Sequence, residues 1–252
     1  MQIFEKNIYV YLIVSLLTLL ILSEADASEE KANSDASKIK NDIDSCILLF
    51  YKQKEEAYAN CIDFANNDQD LAQRMIGDMH YWGWGNKVKK NIKEAIKWYK
   101  RAVKNGNIDA KYNIAVIYEQ GKDVEIDYAK AAQWFLSAAK DGHIDSQYNI
   151  ANMYAKGAGY GLNQRKASDW YLAAANQGDI NSQYNLGNRY AIGKGVSKDL
   201  AESYKWYYLA ARQGDEEARR QLSFLEKSAD PVEINRGKLL AEKWRPVLKE
   251  GK

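Results

Sequence analysis

Four tryptophans stand at equal intervals along the chain, and this spacing constrains the fold more than any other feature. Trp98, Trp134, Trp170 and Trp206 are each separated from the next by 36 residues. The same step links four glycines, Gly106, Gly142, Gly178 and Gly214. A fixed period of this length is typical of repeat architectures, in which each unit buries its apolar face against its neighbours.

Each period resolves into two helices. The segment from Ile108 to Gln120 carries small and apolar side chains on one 3.6-residue stripe and stops at Gly121, which predicts a first helix, called helix A below. Asp127 then stands at an N-cap position, ahead of a second apolar stripe that ends before Gly142 and predicts helix B. Equivalent polar residues precede helix B in the other copies: Asn91, Asn163 and Asp199.

The repeated pattern A-x-x-x-[IL]-[AG]-x-x-Y-x-x-G, followed by A-x-x-W-[YF]-x-x-A-A-x-x-G, resembles the Sel1-like repeat, a relative of the tetratricopeptide repeat. It is seen at 110–142, 146–178 and 182–214, with a looser first copy at 72–106. The resemblance implies an all-α fold, an α-solenoid of stacked antiparallel helix pairs with capping helices at both ends. In the first copy the turn glycine Gly83 is displaced by two positions, which predicts an insertion before Asn91.

The parts of the chain outside the repeats predict a division into five segments. Residues 1–27 are predicted to be a signal peptide, and residues 28–37 have too few apolar side chains to fold and are predicted to be a disordered tether. Residues 38–69 are predicted to form an N-terminal capping helical hairpin. The solenoid itself, four repeats and a partial fifth, is assigned to residues 70–229, and a capping helix and tail to residues 230–252.

The signal peptide is predicted from an apolar run and a cleavage pattern. The run from Ile8 to Leu22 has 15 residues, fewer than the roughly 20 that a membrane-spanning helix needs. Ala25 and Ala27 then form a small-x-small pattern ahead of Ser28, so cleavage is expected between Ala27 and Ser28. The expected location is the bacterial periplasm or the exterior of the cell; an uncleaved membrane anchor is the alternative.

Two cysteines, Cys46 and Cys61, are predicted to form a disulfide. They are 15 residues apart, which on one continuous helix would separate them by roughly 22 Å. A turn near residues 52–55 would bring both to similar distances from its tip, and an exported pair of cysteines then favours a bridge. The alternative is two buried thiols.

The sequence offers little for catalysis. Only two histidines, His80 and His143, are present, so we expect no metal site and no cofactor. Some cysteine-rich secreted relatives with this repeat are described as penicillin-binding or β-lactamase-like, and three S-x-x-K matches exist, at 28–31, 37–40 and 137–140. The S-D-N and K-T-G motifs of such enzymes do not occur, which argues against a weak β-lactamase-like enzyme.

The resemblance also implies a binding groove on helix A. The family's concave positions correspond to these residues: Arg74, Asp78, Tyr112, Val116, Tyr148, Asn152, Tyr184 and Asn188. A groove of tyrosine rings and amides suits an extended peptide, whose backbone the amides would bind. The alternative is that these tyrosines pack between neighbouring helices.

Charge gives a weaker signal about partners. The formal net charge of +2 makes no case for nucleic acid. Eight basic residues between Lys87 and Lys104 make the first helix B basic, either as a solvated face or as a docking site for an acidic partner or anionic glycan. We therefore predict an exported, non-enzymatic scaffold that binds a protein or peptide partner and regulates an envelope signalling or secretion pathway. The alternatives are a weak β-lactamase-like or penicillin-binding enzyme and a structural cell-envelope component.

Overall fold

The computed structural model describes residues 43–121 and 123–247, and the predicted signal peptide and tether lie outside them. The described residues form twelve helices: α1 (Ile43–Tyr51), α2 (Ala57–Asn66), α3 (Asp70–Trp82), α4 (Ile92–Lys104), α5 (Ile108–Gln120), α6 (Tyr128–Lys140), α7 (Ile144–Lys156), α8 (Gln164–Asn176), α9 (Ile180–Ile192), α10 (Leu200–Arg212), α11 (Glu216–Ser228) and α12 (Pro231–Lys243). Helices that are adjacent in the chain pack against each other in pairs, which confirms the predicted all-α fold class.

These helices belong to two compact units, divided after Asn105. The N-terminal unit contains α1 to α4 and the C-terminal unit contains α5 to α12. In both units helix A and helix B alternate along the chain, with α3, α5, α7, α9 and α11 as the A helices. No helix within the described ranges is both long and apolar enough to cross a membrane.

Local signals place the helix ends where the sequence predicts them. The Asp127 side chain accepts a hydrogen bond from the Lys130 backbone N–H and caps α6. Asn91, Asn163 and Asp199 cap the other B helices in the same way. Gly121 ends α5 in the left-handed conformation, with φ of 65°, a region that favours glycine.

The predicted disulfide joins the first two helices of the N-terminal unit. Cys46 on α1 and Cys61 on α2 are bonded, with their Cα atoms 4.9 Å apart, and both are fully buried. The chain turns between these helices at Gln53, where φ is 51°. The predicted disulfide is therefore confirmed. The predicted turn is present as well, although no glycine or proline marks it in the sequence.

The C-terminal unit has a core of alanines and rings. Ala138, Ala174 and Ala210 are fully buried, and a methyl at these positions lets neighbouring helices approach closely. The last helix, α12, packs back on α10, because Gly237 leaves room for it: a Cβ there would lie 2.6 Å from the Cβ of Tyr204. The unit therefore ends with a helix that covers the last complete repeat.

Candidate binding face

Six of the predicted groove residues lie on the A helices of the C-terminal unit. Tyr112 and Val116 are on α5, and equivalent pairs lie on α7 and α9: Tyr148 with Asn152, and Tyr184 with Asn188. All six side chains are partly buried. We call this set the helix-A face. The structure brings each pair together one helical turn apart, as the spacing of four residues requires.

The tyrosines of the helix-A face contact helix B of their own repeat. The Tyr148 ring lies 6.0 Å from the Tyr171 ring, and the Tyr184 ring lies 6.0 Å from the Tyr207 ring. Tyr112 contacts Phe135 at 5.7 Å between ring centroids. The alternative that these rings pack against neighbouring helices is thus realised on one side of each ring, while each side chain keeps some exposed surface.

The two asparagines of the face already accept hydrogen bonds within the protein. The Tyr171 hydroxyl donates to Asn152 Oδ1 at 2.5 Å, and the Tyr207 hydroxyl donates to Asn188 Oδ1 at 2.7 Å. Burial raises the pKa of Tyr171 and of Tyr207 to about 12, so both phenols stay protonated and keep donating at neutral pH. Each amide is held in one orientation, with its NH₂ group as the donor for a ligand.

The two groove candidates in the N-terminal unit have a different environment. Arg74 and Asp78 on α3 form an ion pair at 2.6 Å, and Arg74 is buried. Asp78 also accepts a hydrogen bond from the Tyr99 hydroxyl at 2.7 Å, and burial, followed by the nearby Asp78 carboxylate, raises the pKa of Tyr99 well above its ordinary value. Asp78 therefore joins α3 to α4, while Arg74 pairs with it within α3.

A second repeated contact, which the sequence analysis missed, joins successive helices through glutamines. Gln147 donates to the Ala139 carbonyl at 3.1 Å and accepts from Gln177 at 2.7 Å. One repeat later Gln183 and Gln213 make the equivalent bond at 2.8 Å. The step of 36 residues between these glutamines was the signal that could have found them.

In one repeat an ion pair replaces the glutamine pair. Lys111 and Asp141 stand one period before Gln147 and Gln177, and their side chains form a salt bridge. A neutral hydrogen-bonded pair and a charged pair thus occupy the same place in the repeat. The position requires a donor and an acceptor rather than a particular residue type.

His143 caps α7 and lies beside the helix-A face. Its Nδ1 accepts from the Ser146 backbone N–H at 3.1 Å, and its ring stacks on Tyr112 at 4.8 Å. Burial lowers the pKa of His143, while Asp109 and Asp145 act in the opposite direction. A neutral imidazole is required for this cap, because a protonated Nδ1 cannot accept a hydrogen bond.

The fifth helix A continues the register of the face with different residues. Arg220 and Phe224 on α11 stand one period after Tyr184 and Asn188. Phe224 is 65% exposed, so most of its ring surface is accessible to a partner. Adding 36 to the last groove pair would have identified it from the sequence.

The described residues offer no obvious catalytic centre. None of their His, Cys, Asp and Glu side chains form a group of three or more that could hold a metal ion. Of the three S-x-x-K matches, only Ser137 with Lys140 lies in the described ranges, on α6. Ser137 is partly buried and Lys140 is exposed.

Comparisons with known proteins identify the repeat of this chain. The Sel1 repeat family model matches four consecutive segments, at residues 70–107, 108–143, 144–179 and 180–215. Sel1 repeat proteins generally serve as protein-interaction scaffolds. A search of curated proteins returned no significant match.

Two solved structures share both sequence and fold with the chain. A protective antigen present in uropathogenic Escherichia coli strains, which displays an SLR fold, is 29% identical with a TM-score of 0.65 over 74% of this chain and 39% of its own. A Sel1 repeat protein from Oxalobacter formigenes is 26% identical with a TM-score of 0.68 over 81% of this chain and 85% of its own. The chain thus matches well under half the length of the Escherichia coli antigen and most of the length of the Oxalobacter protein.

Proposed function

Because the chain belongs to the Sel1 repeat family, we propose that it is an exported scaffold that binds a partner protein through the helix-A face. The observation that carries the proposal is the repetition of a partly exposed tyrosine and a polar or apolar neighbour on three successive A helices. Phe224 extends the same register with a largely exposed ring. Partly exposed aromatic side chains at regular spacing are what protein interfaces use as anchors.

The face suits an extended peptide segment of a partner. Tyrosine rings offer broad contact area, and little conformational entropy is lost because each ring is already packed on one side. The oriented amides of Asn152 and Asn188 have NH₂ groups that can donate to peptide carbonyls. Successive A helices would then contact successive stretches of the same peptide.

Crosslinking in the native cell, followed by purification of the protein, tests the proposal. The main variant combines Tyr148→Ala, Asn152→Ala and Tyr184→Ala. Since Asn152 accepts a hydrogen bond from Tyr171, this variant also removes an internal contact, and circular dichroism must show that its helix content is kept. A specific crosslinked partner should be lost in the variant.

A single surface substitution with a matched control sharpens this test. Phe224→Ser removes an exposed ring one period beyond the last pair of the face, while Val232→Ser removes a side chain that is 71% exposed on α12, which is not an A helix. Crosslinking to the partner should be weakened only by Phe224→Ser. Equal binding by both variants and by the triple variant would contradict the assignment of the face.

Export is a separate part of the proposal, supported by the apolar run at 8–22 and the small-x-small pattern ahead of Ser28. The mass of the protein recovered from the producing cell tests it. A chain that begins at Ser28 in the periplasmic or culture fraction is the expected result, and an intact chain that begins at Met1 in the cytoplasm would contradict it. A role in an envelope signalling or secretion pathway rests on this location and on the identity of the crosslinked partner.

A further inference from the structure

Basic residues are concentrated in one stretch of the N-terminal unit. Residues 79–105 contain eight lysines and arginines and a single acid, Glu94, whereas residues 43–78 contain three basic and seven acidic residues. The eight are Lys87, Lys89, Lys90, Lys93, Lys97, Lys100, Arg101 and Lys104. All seven lysines are exposed. Such segregation within one compact unit creates a strongly positive surface.

Four of the lysines form a stripe along α4. Lys93, Lys97, Lys100 and Lys104 follow the spacing of four, three and four residues that keeps side chains on one helix face. The opposite face of α4 is buried. Among the residues that the structure describes, only Lys97 of this stripe has an acid within salt-bridge distance, Glu94 at 2.8 Å. The stripe is therefore a row of positive charge on the outer side of the helix.

The repeat itself does not require these lysines. The equivalent four positions of the other B helices carry mixed side chains: Ala129, Gln133, Leu136 and Lys140 on α6; Arg165, Asp169, Leu172 and Asn176 on α8; Ala201, Lys205, Tyr208 and Arg212 on α10. A packing role common to all repeats would have kept one residue type in every copy. The row of lysines is a property of α4 alone.

The other three lysines lie on a turn that the insertion builds. Trp84 and Val88 exchange two backbone hydrogen bonds, at 2.8 and 3.1 Å, and form a small hairpin between α3 and α4. The Trp84 ring stacks on Phe50 at 5.1 Å, and its Nε1 donates to the Lys54 carbonyl at 2.9 Å. This anchoring holds the turn in place and leaves its lysines exposed: Lys87, Lys89 and Lys90.

An exposed tryptophan borders the same turn. Trp82, the last residue of α3, is 57% exposed. The next residue, Gly83, lies against the backbone of Lys90, since a Cβ on Gly83 would be 3.4 Å from the Lys90 backbone nitrogen. Tryptophan beside lysine is the combination that lies at a bilayer interface, where the ring enters the headgroup region and the ammonium groups meet the phosphates.

We propose that this surface, called the lysine face and defined by Trp82 and the seven lysines, docks the N-terminal unit on an anionic phospholipid bilayer. Seven of the eight basic residues in the stretch 79–105 are lysine, the point charge suited to many mobile headgroups, whereas paired recognition of one carboxylate or phosphate favours arginine. The charges lie along an outer helix face and a turn rather than in a groove. The proposed export would also bring this unit to a membrane before cleavage ahead of Ser28.

Vesicle sedimentation with the chain recovered from its producing cell tests the proposal. Binding is compared between phosphatidylcholine vesicles and vesicles in which about a third of the lipid is phosphatidylglycerol. The difference between the two measurements gives the electrostatic part of vesicle binding, because an apolar run that was not cleaved off would contribute equally to both. Stronger binding to the anionic vesicles, weakened by added salt, is the expected result.

A charge-matched pair of variants locates the contact. The stripe variant carries Lys93→Gln, Lys97→Gln, Lys100→Gln and Lys104→Gln; the control variant carries Lys140→Gln, Lys198→Gln, Lys227→Gln and Lys243→Gln, four exposed lysines of the C-terminal unit. Both lose four positive charges. The stripe variant should lose at least about tenfold of its partition onto anionic vesicles, and the control should lose much less.

Two further measurements keep the proposal open to contradiction. Trp82→Ser should weaken anionic vesicle binding several-fold while leaving helix content unchanged, since its ring is largely exposed. Equal partition on neutral and anionic vesicles, or equal losses in the stripe and control variants, would overturn the proposal. So would tight binding to soluble heparin or polyglutamate with no binding to anionic vesicles, which would assign the lysine face to a soluble polyanion.

Discussion

The first helix pair of the N-terminal unit and the last helices of the C-terminal unit solve the same problem in different ways. Each is the end of the helix pairs of its own unit, and an end has no further repeat to cover its outer face. The pair α1 and α2 is held by the Cys46–Cys61 disulfide and by Phe50, which stacks on Trp84. At the other end α12 covers α10 without a disulfide: Trp244 packs against Trp206 at 6.4 Å, Gly237 lies against Tyr204, and Arg236 forms an ion pair with Asp199.

The difference follows from the length of the helices and the area they can bury. Helices α1 and α2 have 9 and 10 residues, whereas α10 and α12 have 13 each. Short helices bury little apolar surface, so a covalent bond that restricts the unfolded chain offsets the deficit. A longer helix with a glycine at the contact approaches closely enough that no bond is needed.

The largest expected effect is on the C-terminal end. Trp206→Ala should lower the free energy of unfolding of this unit by about 3 to 5 kcal/mol, because it removes a fully buried ring of α10 that packs against Trp244. Urea titration followed by far-UV circular dichroism measures the loss. Trp170→Ala is the control; this tryptophan holds the same place in the repeat but is only partly buried, so its loss should be clearly smaller.

Removing the disulfide tests the N-terminal end. The double variant Cys46→Ala/Cys61→Ala opens a loop with a sequence separation of 15, which should destabilise α1 and α2 by about 3 kcal/mol. Hydrogen exchange detected by mass spectrometry should show faster exchange in α1 and α2, with α10 and α12 unchanged. Unaltered exchange in α1 and α2 would show that packing alone holds this end.

A change of pH should distinguish one repeat of the C-terminal unit from the others. The pKa of His143 is lowered in the folded protein, so the unfolded chain takes up the proton first, near the ordinary value of 6.5. The stabilisation contributed by the neutral His143 is complete above that pH. As the pH falls below it, the free energy of unfolding should decrease by up to about 1.4 kcal/mol per pH unit.

The matched control for His143 is His143→Asn, which keeps a capping side chain without a titratable group. Asparagine already caps the equivalent helix at Asn107. Urea titrations between pH 5 and 8 should show a weaker pH dependence in the variant than in the wild type, the facing Asp109 and Asp145 being present in both. An identical pH dependence would contradict the role assigned to the neutral imidazole.

The smallest expected effect is on the helix-joining polar pairs. Lys111→Gln together with Asp141→Gln converts the ion pair of one repeat into the glutamine pair of the next two. The free energy of unfolding should change by less than about 0.5 kcal/mol, because a partly exposed ion pair and an amide hydrogen bond contribute similarly. The single variant Lys111→Leu should cost more, since Asp141 would lose its partner. A double variant as unstable as the single one would show that this repeat needs the charges.

Helix ends were predictable because their signals are local. A polar N-cap such as Asp127 and a glycine such as Gly121 act within one helical turn, so neighbouring residues alone decide where a helix begins and ends. The 36-residue step then carries each prediction to the next copy. The residues of the candidate face were also predictable, but only as positions in the repeat.

The partners of those residues were not predictable from the repeat pattern. Asn152 and Asn188 were expected to be donors and acceptors for a ligand, and the structure shows their oxygens already bonded to Tyr171 and Tyr207. These contacts join side chains 19 residues apart on different helices. Their geometry depends on how closely the two helices approach, which a pattern along one helix does not contain.

The burial of Arg189 was also not predictable from the repeat pattern. It stands where the neighbouring repeats have Met153 and Ile117, and it is buried, donating to Ser168 Oγ at 2.6 Å and to the Gln164 carbonyl at 2.7 Å. Burial lowers the pKa of its guanidinium, opposed by the nearby Tyr171. A charged residue at one copy of an apolar position is normally expected to point to solvent.

By itself the sequence determined the repeat, the helix pairs, their caps and the pairing of the two cysteines, because period, capping and loop length are properties of the chain order. Only the tertiary structure decided which of the repeat tryptophans are core: Trp98 is buried, whereas Trp134 is only partly buried. Trp206 is fully buried and Trp170 is not, although both hold the same place in the repeat. The physical reason is that burial depends on what covers a side chain, and Trp206 is covered by Trp244, the residue that directly follows α12.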